Sequence, residues 1–458
     1  MDAGLHWTRR FYRRHLARYG WARKLKGIVV QAWFWYLHVR HVMTWRVRTI
    51  FGRKAFYQTA RAISKSTIFP LQPIAAYRQS FCPRVFTLAS AESVELQMPQ
   101  VYPARYRDRF HRQSWQTGIP AVEAVEVSEA EIMGRCEFMF TRGGAIHHDF
   151  YDFRVDLPGE EMHGLVSIET SKGLLARYAK GRADTDAEEA ISILGWQIAN
   201  YVHWLTEYLP RLVLVDEILE LAHLPLAVDA NLHTNILESL RLCNVHNRMF
   251  ITLSPGEVLR LKRAVFITPT AYAPFDHRDA AKAKRTGVTP DRAMFVPRAV
   301  HALRDKLLSV LAEGGTAEGA CRLYLRRNSH YRRMKNAEEV ESLLRAHGFQ
   351  VMEPERLSFL EQVRLFSTAQ IIVAQAGAAL GNMLFAPEGC RVIILSTWSP
   401  HSNYYYFSNL ASILNQRCIY VLCDAGELEW GVHPAHRSPN VDIQLLEKVI
   451  SHEAESAV

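Results

Sequence analysis

Four short apolar runs, alternating with stretches of helical periodicity, constrain this chain more than anything else in it. Within residues 321–395 the runs 322–326, 349–353, 370–374 and 391–395 are bounded by polar turns. Between them Val340, Leu343 and Leu344, then Phe359, Val363 and Phe366, recur at the spacing of one helix face. Strand and helix in strict alternation predict a parallel, doubly wound α/β sheet. Ligands of such sheets sit beyond the carboxyl ends of the strands, so the residues just after each strand are the candidates.

Two of those places carry the right chemistry for an anion. Arg326, Arg327, Arg332, Arg333 and Lys335 follow the first strand. Ala376, Gly377, Ala378, Ala379, Leu380, Gly381 and Asn382 follow the third, where small side chains at a helix start let backbone amides approach a phosphate. Guanidinium groups and helix dipole together suit a diphosphate. The same residues also fit a solvated loop and a close packing contact, and spacing alone leaves these readings open.

A second stretch, NYVHWLTEYLPRL at 200–212, reads as part of a helix over 196–209 with Ile198, Val202, Leu205 and Leu209 buried. Asn200, His203, Glu207 and Arg211 share its polar face, and Pro210 is expected to end or kink it. A histidine with a carboxylate one turn away is a ready general base, because the carboxylate holds the tautomer and stabilises the protonated ring. A lone structural histidine is the competing reading.

These two stretches together resemble glycosyltransferase family 61. The resemblance rests on NYVHWLTEYLPRL and on the order tyrosine, Arg326, Ser329, Arg332, Arg333, Asn336, Glu339, then PERLSFLEQV and GAALGNMLF, and it runs over about residues 196–420. It implies a GT-B fold, two Rossmann-like domains facing a cleft. It implies an inverting transfer from a nucleotide sugar, UDP being the expected nucleotide, to a saccharide or glycan acceptor, with no metal. His203 would be the base and Glu207 its partner or substitute. Asn200, Arg211, Arg326, Arg332, Gly377, Ala378, Asn382 and Tyr404 would bind substrate, Asn382 bracing the donor loop or a sugar hydroxyl and Tyr404 stacking on the base. Two departures stand out: Ala376 where many members have histidine, and Ile394 where many have glutamate. They leave room for another donor, or for a silent relative that scaffolds polysaccharide assembly. An NAD-type oxidoreductase is disfavoured, since no G-x-G-x-x-G turn follows a strand with an acid about 20 residues on.

The rest of the chain frames this core. With 458 residues it is long enough for two to three domains. The formal charge of +9 is concentrated: residues 1–63 hold fourteen Lys or Arg against Asp2, or +13, leaving about −4 for the remainder. Trp7, Trp21, Trp33, Trp35 and Trp45 lie in the same segment. A basic, aromatic helical arm of this kind fits an anionic membrane surface on the cytoplasmic side, with peripheral attachment, better than a nucleic acid. The apolar run 27–39 is short for a membrane span. Residues 64–299 are expected to form an acceptor-side α/β domain, 300–435 the nucleotide-sugar domain, and 436–458 a helix crossing back to the first. Seven cysteines, Cys82, Cys136, Cys243, Cys321, Cys390, Cys418 and Cys423, show no paired spacing and read as core residues in a reducing compartment. His147, His148, Asp149 and Asp152 are taken as a polar hairpin, not a metal site.

Overall fold

A computed structural model describes residues 66–178, 185–274, 290–313, 321–327, 334–399, 402–423 and 437–455. The expected membrane segment 1–63, Arg332 and Arg333 lie outside the described residues. Along the chain the framing strands are β1 (Gln100–Tyr102), β2 (Val122–Met133), β3 (Thr185–Ser192), β4 (Leu226–Asp229), β5 (Phe250–Leu253) and β6 (Val258–Ile267). They are followed by β7 (Cys321–Leu325), β8 (Gln350–Met352), β9 (Ala369–Gln375), β10 (Arg391–Thr397) and β11 (Arg417–Cys423). The helices that position the site are α1 (201–215), α2 (Thr234–Cys243), α3 (Pro297–Glu313), α4 (Ala337–Ala346), α5 (Phe359–Phe366), α6 (Tyr405–Ile413) and α7 (Ile443–Glu455).

The second sheet has the order β8-β7-β9-β10-β11-β1, every pair parallel. Counting β7 to β11 as one to five, this is 2-1-3-4-5, a doubly wound order whose direction reverses between β7 and β9. The strands agree with the expected runs to within about two residues because they are buried on both faces, which makes them near-continuous apolar runs. Tyr324, Val373, Ile393 and Val421 face a cluster with Val340 and Leu344 of α4 and Leu446 and Ile450 of α7. Leu323, Ile372, Val392 and Ile394 face the other way, into a cluster with Phe359, Val363 and Phe366 of α5. Each of these side chains contributes about 1.5–3 kcal/mol on burial. Ser358 and Glu361 close a capping box at the start of α5, fixing where it begins.

The first sheet contains the parallel order β5-β4-β3-β6, with β2 antiparallel to β6, and continues through the strands Met139–Phe140, Ala145–His147, Ser66–Pro73, Leu174–Tyr178 and Val166–Glu169. In chain order its parallel part is 3-2-1-4, with α1 and α2 as the crossovers. One apolar cluster joins the two sheets: Leu205, Leu209 and Leu212 of α1 share it with Leu303 and Leu307 of α3 and with Leu380, Met383 and Leu384.

Two domain expectations are corrected. α7 packs on the outer face of the second sheet beside α4 and does not cross back, since Leu446, Val449 and Ile450 find their apolar partners there. The first domain is not confined to its own sheet: β1 joins the edge of the second, pairing Gln100, Val101 and Tyr102 with Ile419, Tyr420 and Val421. The histidines expected in a polar hairpin are buried, His147 among Phe138 and Tyr151 and His148 against Tyr272. Burial lowers both their pKa values. Among the described residues no three His, Cys, Asp or Glu are grouped to hold a metal ion. Of the cysteines, Cys136, Cys243, Cys390, Cys418 and Cys423 are buried, Cys321 is half-buried and Cys82 is exposed; all are free thiols.

Candidate functional site

The helix expected over 196–209 starts at Tyr201 and runs on through Pro210 to Val215. It survives the proline because Trp204–Tyr208 is wound as a π-turn, in which the Leu209 amide donates to Trp204 O. Pro210, which has no N–H to place, then stands in the first turn of the α-helical Leu209–Val215. The carbonyls displaced by the wide turn are taken up locally. Thr270 Oγ1 lies 3.0 Å from Thr206 O and 3.2 Å from Glu207 O, and Thr206 Oγ1 donates to Val202 O at 2.8 Å. Single π-turns inside α-helices recur at functional sites.

The histidine–carboxylate pair spans the start of this π-turn, His203 just before it and Glu207 within it. His203 Nδ1 lies 2.6 Å from Glu207 Oε1, both side chains being largely buried. An ionised Glu207 only accepts, so the contact puts the ring proton on Nδ1 and leaves Nε2 as a proton acceptor. The ring of Tyr406, on α6 of the second sheet, meets His203 edge-on at 5.6 Å. Asn200 is exposed just before the helix, and its carbonyl accepts from the Trp204 amide at 2.9 Å. Arg211 is buried and reaches Glu137, Nη2 to Oε1 3.3 Å.

α1 docks directly on the glycine-rich segment after β9, which winds as a 3-10 helix over Ala378–Phe385. A side chain on Gly381 would stand 3.2 Å from Val202 Cα and 3.4 Å from Leu205 Cδ1, so the absence of a side chain lets the two backbones approach. Asn382 is fully buried and spent on structure: Oδ1 accepts from Tyr201 Oη at 2.8 Å and Nδ2 donates to Gln362 Oε1 at 2.7 Å. It braces the segment, and the alternative of a sugar contact is corrected by that burial. Gly377 and Ala378 are half-buried at the mouth of the winding, whose first amides have no preceding turn to bond. Arg327 Nη1 would lie 2.7 Å from a Cβ on Gly377, so the guanidinium seated on this turn is Arg327.

Arg326 is engaged elsewhere. Its Nε donates to Glu353 Oε1 at 3.0 Å and Nη1 to Glu341 Oε2 at 3.3 Å, while Nη2 also pairs with Glu353. Tyr404 departs from expectation as well: only 3% exposed, it stacks on Trp398 at 5.4 Å and donates to Thr397 O at 2.9 Å, with the Ser399 amide donating to it. A ring so enclosed has no face left for a base. Ile394 is completely buried in the sheet. A cavity of about 430 Å³ lined by Arg78, Gln79 and Cys82 lies on the helix Ile74–Phe81 and includes none of these site residues.

Behind α1 lies a buried acidic cluster that the sequence did not announce. Burial raises the pKa of Glu137, against the pull of Arg211, and Glu207 adds to the rise. The Glu137 amide donates to Glu160 Oε1 at 2.8 Å, and burial, with Glu137 second, pushes Glu160 up to about 8. Asp229 is pushed up to about 7 by burial, while accepting from the amides of Gly195 at 3.1 Å and Arg135 at 2.6 Å. The only hint in the sequence was a glutamate in the apolar run CEFMF at 136–140.

Glu160 has a checkable consequence. Its folded pKa exceeds the ordinary carboxylate value, so the native state holds a proton that the unfolded chain releases. Stability from this group is therefore present below about pH 4.5 and falls as pH rises toward about 8. Glu160→Gln keeps the acceptor oxygen without the titration. Between pH 5 and 8 its stability should fall less steeply than wild type by up to about 1.4 kcal/mol per pH unit, read from denaturation at each pH.

A histidine–carboxylate pair on a helix docked against the glycine-rich winding after β9 defines the candidate site of this α/β protein. The family model described as Glycosyltransferase 61 matches residues 201–393, the stretch from α1 to β10. Over that stretch the chain is similar to glycosyltransferase family 61. No curated protein matches the chain.

Proposed function

We propose that the protein is an inverting glycosyltransferase of GT-B arrangement, moving a hexosyl or pentosyl group from a nucleotide sugar, with UDP as the nucleotide, to a saccharide or glycan acceptor in polysaccharide or glycoconjugate assembly. The observation that carries this reading is the docking of α1, with His203 and Glu207, on the glycine-rich winding at the reversal point of the second sheet. His203 Nε2 removes the proton of the acceptor hydroxyl as that oxygen attacks the anomeric carbon. The nucleoside diphosphate leaves from the opposite face, its charge met by the amides at Gly377 and Ala378 and by Arg327. Fixed donors of this kind stabilise a leaving diphosphate without reorganisation. Arg326 is held at the end of β7 by Glu353 and Glu341.

Calorimetric titration with UDP tests the anion site. Arg327→Ala should weaken binding by about tenfold, the scale of one charge-assisted contact, and Arg326→Ala by less than about threefold. Unchanged affinity in Arg327→Ala removes the turn at Gly377 from the donor site. Residues 1–63 attach the protein to an anionic membrane surface in this reading, supported by their +13 charge and five tryptophans. Deleting them should move the protein from the membrane to the soluble fraction, and an unchanged distribution refutes the attachment.

A further inference from the structure

Glu207 has two neighbours of complementary chemistry on its own helix, His203 four residues before it and Arg211 four residues after. Glutamate followed by arginine at this spacing is the favoured orientation for a helical ion pair. In the structure Glu207 bonds the imidazole at 2.6 Å, whereas Arg211 turns to Glu137 at 3.3 Å. Glu137 comes from outside the helix and outside the stretch 201–393 that matches the family.

We infer that Glu137 is a positioning residue: by engaging Arg211 it leaves the Glu207 carboxylate to His203, so that the base keeps its orienting partner. The inference rests on His203 being the base. Charge arithmetic supports it. Glu207 and Glu137 face one guanidinium and one imidazole, and loss of the Glu137 charge leaves Arg211 with Glu207 as the nearest carboxylate on its own helix. Several groups surround the pair. Glu160 meets Glu137 from the helix Gly159–Met162, Asp229 from the end of β4, and Tyr208 from α1 itself. His148 faces Arg211 from the turn after Ala145–His147, and Tyr406 faces His203 from α6. Of these, Glu160 is engaged by the Glu137 amide and Asp229 by the amides of Gly195 and Arg135, whereas Glu137 is the carboxylate that Arg211 reaches.

The test is a rescue experiment on the full chain, with turnover followed against pH. Glu137→Gln should lower kcat by about tenfold or more and move the acidic limb of kcat/KM to lower pH by about half a unit, since an imidazole deprived of its carboxylate holds a proton less well. The double variant Glu137→Gln/Arg211→Gln removes the competitor and should return kcat to within about threefold of wild type. A role confined to packing makes the double variant worse than the single one, and that outcome overturns the inference. Should Glu137→Gln not fold, Glu137→Asp retracts the carboxylate from Arg211 while keeping its charge, and the same Arg211→Gln rescue is expected. His203→Ala separates the two levels. Wild-type turnover in His203→Ala overturns the base reading and this inference with it, whereas an inactive His203→Ala beside an unrescued double variant overturns this inference alone.

Discussion

His203→Ala should lower kcat by about 10²- to 10⁴-fold, the range of a lost general base, while leaving UDP affinity within about threefold of wild type. On the proposed mechanism the two quantities separate because the imidazole is held by Glu207 on α1, whereas the turn at Gly377 has the Arg327 guanidinium seated on it. Glu207→Gln should cost less, about 10- to 100-fold, because an amide can still accept from Nδ1 but cannot stabilise the imidazolium that forms. Single-turnover transfer from a panel of nucleotide sugars reads both. If His203→Ala transfers within tenfold of wild type, His203 is not the base. If the wild-type chain transfers nothing from any donor, the scaffold alternative prevails.

Legibility in the sequence followed the range of the interactions. Strands β7, β9 and β10 were readable because burial on both faces turns a parallel strand into an apolar run, and α5 because Ser358 and Glu361 signal its start within four residues. His203 and Glu207 were readable for the same local reason, being one helical turn apart. Their supports were not: Arg211 and Glu137 are separated by 74 residues, and Thr270 reaches back 64 residues to Thr206. Such contacts are set by which strand lies beside which helix, and no periodicity records that. Pro210 misled in an instructive way. Proline stops an α-helix by removing a donor and crowding the preceding turn, but a π-turn just before it displaces the register so that no donor is required at that place. Tyr404 misled through composition: a tyrosine-rich helix start after a strand suits a nucleobase platform, yet Trp398 stacks on the ring and Phe110 and Tyr420 pack against it at steep angles, which leaves it buried.

Gly195→Ala should destabilise the fold by about 2–4 kcal/mol and depress transfer together with stability. Gly195 sits just past β3, its amide donating to Asp229 Oδ2 at 3.1 Å. A Cβ there would stand 2.1 Å from Tyr208 Cε1 and 2.4 Å from its Oη. Tyr208 is fully buried and closes the π-turn, so its ring has no free volume into which to retreat. Relief must come from moving the backbone of Trp204–Tyr208, which displaces Glu207 from His203, or from pulling β3 away from β4, which breaks the hydrogen bond that the Gly195 amide donates to Asp229. Both routes pass through the site, so the variant should lose catalysis at temperatures well below its melting point. Gly118→Ala, where the added Cβ meets nothing within 4 Å, is the matched control and should leave melting and transfer unchanged. Equal melting temperatures for the two variants would show that Tyr208 yields without cost, and the π-turn could then no longer be regarded as a rigid mount for the base.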